Sequence, residues 1–309
     1  MNYSDLTTEK TNKNSRHIDK MTTAEIVRVI NDEDKTVPFA VERELGDIAR
    51  AIDLIAERLG AGGRLIYIGA GTSGRLGVID ATECPPTYGV SPELIQGVIA
   101  GGRDAMFRSS EGMEDIAENA QKDLEAVVFC KKDVCMAISA SGSAAYCCGA
   151  LGYARSVGAT TVALSCNKNG AMNRLADIAI AVVVGPEVVS GSTRMKAGTA
   201  QKLVLNMIST GVMIKLGRVY DNHMVYMNPS NKKLRARAVR IICEETGADE
   251  TAADAALVAA GGNISAAIDV LNAGLRHMSA AARYSFSYLK SRKNSTLYTS
   301  GAEYAASLK

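Results

Sequence analysis

The sequence predicts an α/β protein: a parallel-sheet αβα sandwich followed by a small all-helical C-terminal subdomain. Three observations lead there. Between Arg64 and Val184, short β-type runs alternate with helical stretches, the pattern of βαβ units and hence of a parallel sheet covered on both faces. From about Met227 the pattern changes to helices alone. The 309 residues, 47% apolar and 22% charged, also suffice for a large buried core.

The elements follow in chain order. Residues 1–20 read as a polar arm. Thr22 and Glu25 have the spacing of a capping box and predict a helix over Thr23–Asp34. Apolar positions at Leu45, Ile48, Ala51, Ile52, Ile55 and Leu59 predict a second over Val41–Leu59. Strands are expected at Arg64–Gly69, Leu94–Ala100, Val134–Ser139, Thr160–Ser165 and Ile178–Val184. The intervening helices fall near Gly74–Thr82, Glu114–Val128, Ala144–Val157 and Ala171–Ala176, and a long helix over Thr193–Lys215 ends the sandwich. The last helices, Lys232–Glu245, Asp249–Ala260 and Asn263–Leu271, are separated by Gly247 and Gly261-Gly262, with Asp249 (or Thr251) and Asn263 as N-caps. The expected division is a sandwich with its N-terminal helical arm over 1–226, then the helical subdomain and tail over 227–309. The segment Arg283–Lys309 gives no clear pattern.

Composition narrows the function. A net charge of +2 argues against nucleic acid or an anionic membrane as partner, and Lys232, Lys233, Arg235, Arg237 and Arg240 read as a solvated helix face. The N-terminus lacks the apolar core of a secretory signal, and the apolar stretch Leu203–Leu216 is interrupted by Asn206, Ser209, Gly211 and Lys215. Seven cysteines, mostly inside apolar runs, read as buried thiols of a cytoplasmic protein, and no spacing among them and the three histidines suits a metal.

Three stretches carry candidate chemistry. Gly69-Ala70-Gly71-Thr72-Ser73-Gly74-Arg75 ends a strand and opens a helix, so backbone N–H groups and the helix dipole could cradle an anion at Gly71, Thr72 and Ser73. A plain tight turn would read the same, and no acidic residue ends a second strand to hold a dinucleotide ribose. Ser139-Ala140-Ser141-Gly142-Ser143 repeats the arrangement after another strand, although a serine-rich turn is its simpler reading. In Gly191–Lys202, Ser192 and Thr193 suit an N-cap, while Arg194 and Lys196 place cations in a first turn where the macrodipole disfavours them. An anion contact and a solvated helix start both fit Lys196.

Two carboxylates stand in oppositely biased settings. Glu83 is expected to close its helix, with Pro85-Pro86 stopping it, where the negative dipole end favours protonation. Glu114 is expected near a helix start, where ionisation is favoured. That pairing suits a general acid and a general base, although Glu111, Glu114 and Asp115 would equally serve as dipole compensation.

Four stretches, Ile30–Pro38, Gly69–Arg75, Glu83–Gly89 and Ser192–Lys202, strongly resemble the N-acetylmuramic acid 6-phosphate etherase family. The likeness runs from about Thr22 to Met224, and more loosely to about Ile268. It implies a sugar isomerase (SIS) type sandwich working as a homodimer, with the site near the subunit interface and no metal or organic cofactor. The implied reaction removes D-lactate from N-acetylmuramic acid 6-phosphate, giving N-acetylglucosamine 6-phosphate in cell-wall recycling. By motif, Glu83 resembles the acid that protonates the departing lactate and later activates water, and Glu114 the base that takes the C2 proton. Three places depart from the family pattern. Ser143-Ala144-Ala145-Tyr146 stands where Arg-Thr-Pro-Tyr is common, His223-Met224-Val225-Tyr226 where Leu-Met-Val-Asp is usual, and the segment from about Leu275 follows no family pattern. A hexose-phosphate isomerase or a non-catalytic phosphosugar sensor on the same fold are the alternatives. A sensor would need neither Glu83 nor Glu114.

Overall fold

The computed structural model describes residues 6–110 and 112–277 and divides into two compact units. The first comprises the chain to Pro85 and Val90–Leu216; the second comprises Pro86–Gly89 and the chain from Gly217. The expectations for Arg283–Lys309 lie outside the described residues.

In the first unit, strands β1 (Leu65–Gly69), β2 (Ile95–Ile99), β3 (Val134–Ser139), β4 (Thr160–Ser165) and β5 (Ile178–Ala181) form one sheet, all parallel, in the order β2-β1-β3-β4-β5. Every residue of β1, β3 and β4 is buried, as expected of a sheet covered on both faces. Helices α5 (Ala117–Ala126) and α6 (Ala145–Ser156) cover one face, where Ile66, Ile68, Cys135 and Ala137 pack with Leu124, Tyr146 and Leu151. Toward the other face lie α3 (Leu45–Gly60), α4 (Gly71–Tyr88) and α7 (Lys196–Lys215). There Asp80 of α4 accepts hydrogen bonds from Tyr67 of β1 and from Asn206 and Ser209 of α7. Burial raises the Asp80 carboxyl above its ordinary value against the pull of those three donors.

Helix α1 (Thr23–Asp34) carries the expected capping box, with Thr22 and Glu25 bonding reciprocally. The expected Val41–Leu59 helix is two, α2 (Val37–Glu42) and α3, because the chain leaves helical geometry at Glu44 (φ −108°, ψ 7°). The start of the chain is less of a free arm than its polarity implies. Thr8, Asn12 and Ser15 are buried; Asn12 donates to Glu33 and to the Pro186 carbonyl, and Ser15 to the Val188 carbonyl.

The second unit packs α8 (Lys232–Thr246), α9 (Glu250–Ala259) and α10 (Ile264–His277) around Ala238, Ile241, Ile242, Leu257, Ile264 and Ile268. Asn231, Asp249 and Asn263 each accept a backbone N–H at a helix start. Among the described residues, no single helix is long and apolar enough to cross a membrane.

Candidate active site

A sheet ordered 2-1-3-4-5 reverses its winding between β1 and β3, and ligands of such sheets bind at the carboxyl ends of the strands beside that switch point. The two hydroxyl-rich loops flank it. Gly69 pairs with Ile138, so Ala70–Ser73 and Ser139–Ser143 leave neighbouring strands at the same edge. Both then open a helix, α4 and α6, whose first N–H groups have no intrahelical partner.

The serine loop is prefolded by its own hydroxyls. Ser139 Oγ accepts the Gly142 N–H and Ser141 Oγ the Ser143 N–H, both at 3.2 Å, and the two Oγ atoms lie 3.3 Å apart. Gly142 is left-handed (φ +69°), and a Cβ there would lie 3.0 Å from Gly170 Cα and Ser165 Cβ. From beneath, Asn167 donates to the Ala140 and Ser141 carbonyls and to Thr8, while its own carbonyl oxygen accepts the Thr7 N–H. The docked N-terminal arm thus braces the loop. Helix α6 begins with Ala144 as N-cap, which makes no side-chain cap.

In the glycine loop, Gly71 is exposed, Thr72 half-buried and Ser73 buried. Ser73 Oγ donates to Gln201 Oε1 of α7 at 3.1 Å, and among the described residues Gln201 Nε2 has no hydrogen-bond partner. Ser73 therefore joins two helices instead of standing open to a ligand.

Helix α7 corrects one expectation. It begins at Lys196, not Thr193, and Ser192 lies half-buried in a turn with its N–H on the Val189 carbonyl. The cap comes from a distance: the Glu187 carboxylate accepts the N–H groups of Lys196 and Ala197, both at 2.9 Å. Lys196 is buried with its ammonium on Glu33 Oε2 at 2.5 Å. Burial opposes ionisation of Glu33, but hydrogen bonds from Lys196, Asn14 and Asn12 outweigh it and hold that carboxyl below its ordinary value. A cation against the dipole is thus answered by an internal carboxylate.

Both catalytic candidates sit differently from their sequence expectation. Helix α4 does not stop at Glu83. It runs through Pro85 and Pro86 to Tyr88: their fixed φ suits a helix but each forfeits a backbone hydrogen bond, and buried Cys84 and Tyr88 anchor the final turns. The stop signal is Gly89 (φ +61°), where a Cβ would lie 2.4 Å from the Tyr226 carbonyl oxygen. Glu83 is therefore an exposed interior residue of α4, more than a turn from the dipole end. Glu114 is not in α5 either. It is exposed on a short 3₁₀ turn, Met113–Asp115, separated from α5 by the extended residue Ile116.

That turn packs against α6 and forms one wall of a cleft of about 230 Å³ lined by Ala70, Gly71, Arg75, Ser109, Ser110 and Glu114, among others. Gly71 and Glu114 thus share a cleft beside the switch point, with one cation, one carboxylate and two hydroxyls in its lining. Glu83 does not line it. Burial pushes the Cys84, Cys147 and Cys166 thiols up to about 12, which leaves them poor nucleophiles. In the second unit, Asp221, His223 and Glu245 present ligand atoms within 4.8 Å of one another and could hold a metal ion, drawn from a turn and a helix that no sequence spacing connects.

Sequence relatives show the family. The chain matches the SIS domain model over residues 115–210 and the glucokinase regulatory protein N-terminal SIS domain model over residues 47–155. It is 58% identical over 257 residues to the N-acetylmuramic acid 6-phosphate etherase of Clostridium beijerinckii, across 83% of this chain and 84% of that one. This chain belongs to the N-acetylmuramic acid 6-phosphate etherase family. The etherase of Symbiobacterium thermophilum is 57% identical over 275 residues, 89% of this chain and 91% of the relative. Among solved structures, a phosphoheptose isomerase from Francisella tularensis aligns with TM-score 0.49 and 16% identity over 63% of this chain and all of that one.

In this etherase family member, local sequence pattern does not reveal several residues that line the cleft or hold the start of α7. Arg75 lies in the glycine loop, but no local pattern indicates that its side chain reaches the next crossover. Ser109 and Ser110 lie in an irregular stretch without periodicity. Glu187 and Glu33 are distant in sequence from the helix start they serve; the misplaced cation Lys196 was the one signal that a carboxylate partner existed.

Proposed function

We propose that this protein cleaves the D-lactyl ether of N-acetylmuramic acid 6-phosphate, giving N-acetylglucosamine 6-phosphate and D-lactate, in the peptidoglycan-recycling chemistry of the cytoplasm. The observation that carries this is identity above 55% along most of the chain to proteins named for that activity. The placement of Glu114 opposite the glycine loop supports it.

In the ring-opened sugar the C1 aldehyde acidifies the C2 proton. Glu114, as base, takes that proton; electrons move into a C2=C3 double bond and the C3–O bond breaks. Glu83, as acid, gives its proton to the leaving lactate oxygen. Water then adds at C3, with Glu83 taking its proton, and Glu114 returns its proton to C2, which restores both carboxyl groups. The phosphate is remote from the bonds that change, so its binding energy can orient the sugar. The serine loop with the α6 N-terminus, Ser139, Ser141, Gly142 and Ser143, is our candidate phosphate cradle. Gly71 and Thr72 are assigned to the sugar, Ser73 and Ser192 to the surrounding wall, and Lys196 to holding the start of α7 in place.

We assign the working form to a homodimer. Glu83 shares a stripe of α4 with Ile79, which is 53% exposed, and Met207 and Ile214 of α7 are exposed apolar residues. A second copy covering that face would exclude water from Glu83, the setting a general acid needs.

Glu83→Gln and Glu114→Gln test the roles. The first should lose lactate release yet keep exchange of the C2 hydrogen with deuterated solvent, and the second should lose both. Lactate release by the Glu83 variant at the wild-type rate would refute the acid assignment.

A further inference from the structure

Arg75 is the fifth residue of α4, one turn in from Gly71 and at the end of the glycine loop. Its side chain crosses to the other wall of the cleft. Nε donates to the Met106 carbonyl and an Nη to the Arg108 carbonyl, both at 3.1 Å. Those carbonyls belong to the crossover that follows β2. It is built from a short 3₁₀ turn, Arg103–Met106, and continues through Ser109 and Ser110 toward Glu114. The crossover has little apolar anchorage of its own: Phe107 is 90% exposed, whereas Ala105 is buried. One edge of a planar guanidinium, presenting two parallel N–H groups, spans two carbonyls that stand two residues apart.

We infer that Arg75 is a positioning residue for the etherase reaction, fixing the wall that carries Ser109, Ser110 and Glu114 at a set distance from the glycine loop. It acts through its hydrogen-bond fork on the crossover and is not a phosphate ligand. The inference rests on the assignment of Glu114 as the base. Lysine keeps the charge but offers a compact ammonium on a flexible stem, which cannot reproduce the rigid two-point contact. A charge role would survive Arg75→Lys, and a positioning role would not.

The test uses full-length Arg75→Lys and Arg75→Ala beside wild type and Glu114→Gln. Four quantities are read: C2-hydrogen exchange of N-acetylglucosamine 6-phosphate in deuterated water, equilibrium binding of the same sugar, the thermal midpoint, and amide exchange over residues 103–110. Displacing a base by about 1 Å costs on the order of 100-fold in rate. We expect that loss in C2 exchange for both Arg75 variants, with binding little changed and amide exchange of 103–110 accelerated. Added guanidinium chloride, against sodium chloride at equal ionic strength, should restore C2 exchange in Arg75→Ala and leave Glu114→Gln inactive. Wild-type C2 exchange by Arg75→Lys, or a loss confined to binding, would overturn the inference. So would wild-type amide protection of 103–110 in both variants, a readout independent of which residue is the base. Full C2 exchange by Glu114→Gln would instead refute the base assignment alone. Should Arg75→Ala fail to fold, Arg75→Lys carries the test.

Discussion

Glu33→Gln should destabilise the first unit far more than a surface substitution would. In the native protein the Glu33 carboxylate accepts from Lys196 Nζ, from Asn12 Nδ2 at 2.7 Å and from Asn14 Nδ2 at 2.7 Å. A carboxamide keeps one accepting oxygen and turns the other position into a donor. Either an asparagine donor or the Lys196 ammonium then meets an N–H, and the ammonium, on a side chain only 3% exposed, loses its counter-charge. Removing one partner of a buried ion pair costs about 3–5 kcal/mol. For a unit of this size each kcal/mol moves the midpoint by about 2–4 °C, so the fall should be roughly 6–20 °C. Differential scanning fluorimetry with urea unfolding would measure it. Lys196→Met added to Glu33→Gln should recover a large part of the loss, because the uncompensated charge is then gone. The pH dependence has a definite sign. The folded carboxyl lies below its ordinary value of 4.5, so its contribution is present above the unfolded value and lost as pH falls through the folded one. The gap between wild type and Glu33→Gln should therefore narrow on acidification below about pH 4.5. A Glu33→Gln protein within about 1 kcal/mol (roughly a fivefold change in the folding equilibrium) of wild type at neutral pH would refute this reading of the pair.

Two further predictions concern loops. Ala144→Thr supplies a side-chain cap that α6 lacks, at a capping residue already outside helical geometry (φ −56°, ψ 125°), and should raise stability by about 1 kcal/mol; an N-terminus ordered for anion binding should also lower KM for the phosphosugar, which initial rates would show. Gly89→Ala places a Cβ 2.4 Å from a backbone oxygen in a left-handed conformation, and should cost at least about 2 kcal/mol by urea titration.

The sheet was legible because parallel strands buried on both faces leave uninterrupted apolar runs between helical periods. Val134–Ser139 and Thr160–Ser165 stand as expected, residue for residue. Boundaries set by long-range partners were not legible. The start of α7 depends on Glu187, and the end of α4 on a glycine facing the Tyr226 carbonyl rather than on two prolines. The helix-dipole settings expected for Glu83 and Glu114 are absent: Glu83 is interior to α4, and Glu114 is on a separate 3₁₀ turn. What connects Glu114 to the glycine loop is the cleft it shares with Gly71 and Arg75, formed by a crossover whose path no local pattern reveals.

The most direct test of the central claim is D-lactate release by the purified protein from N-acetylmuramic acid 6-phosphate, with the unphosphorylated sugar as control. We expect release from the phosphorylated sugar alone, in amounts equal to the N-acetylglucosamine 6-phosphate formed. A protein that binds the phosphosugar, as seen by thermal stabilisation, yet releases no lactate would contradict the etherase assignment.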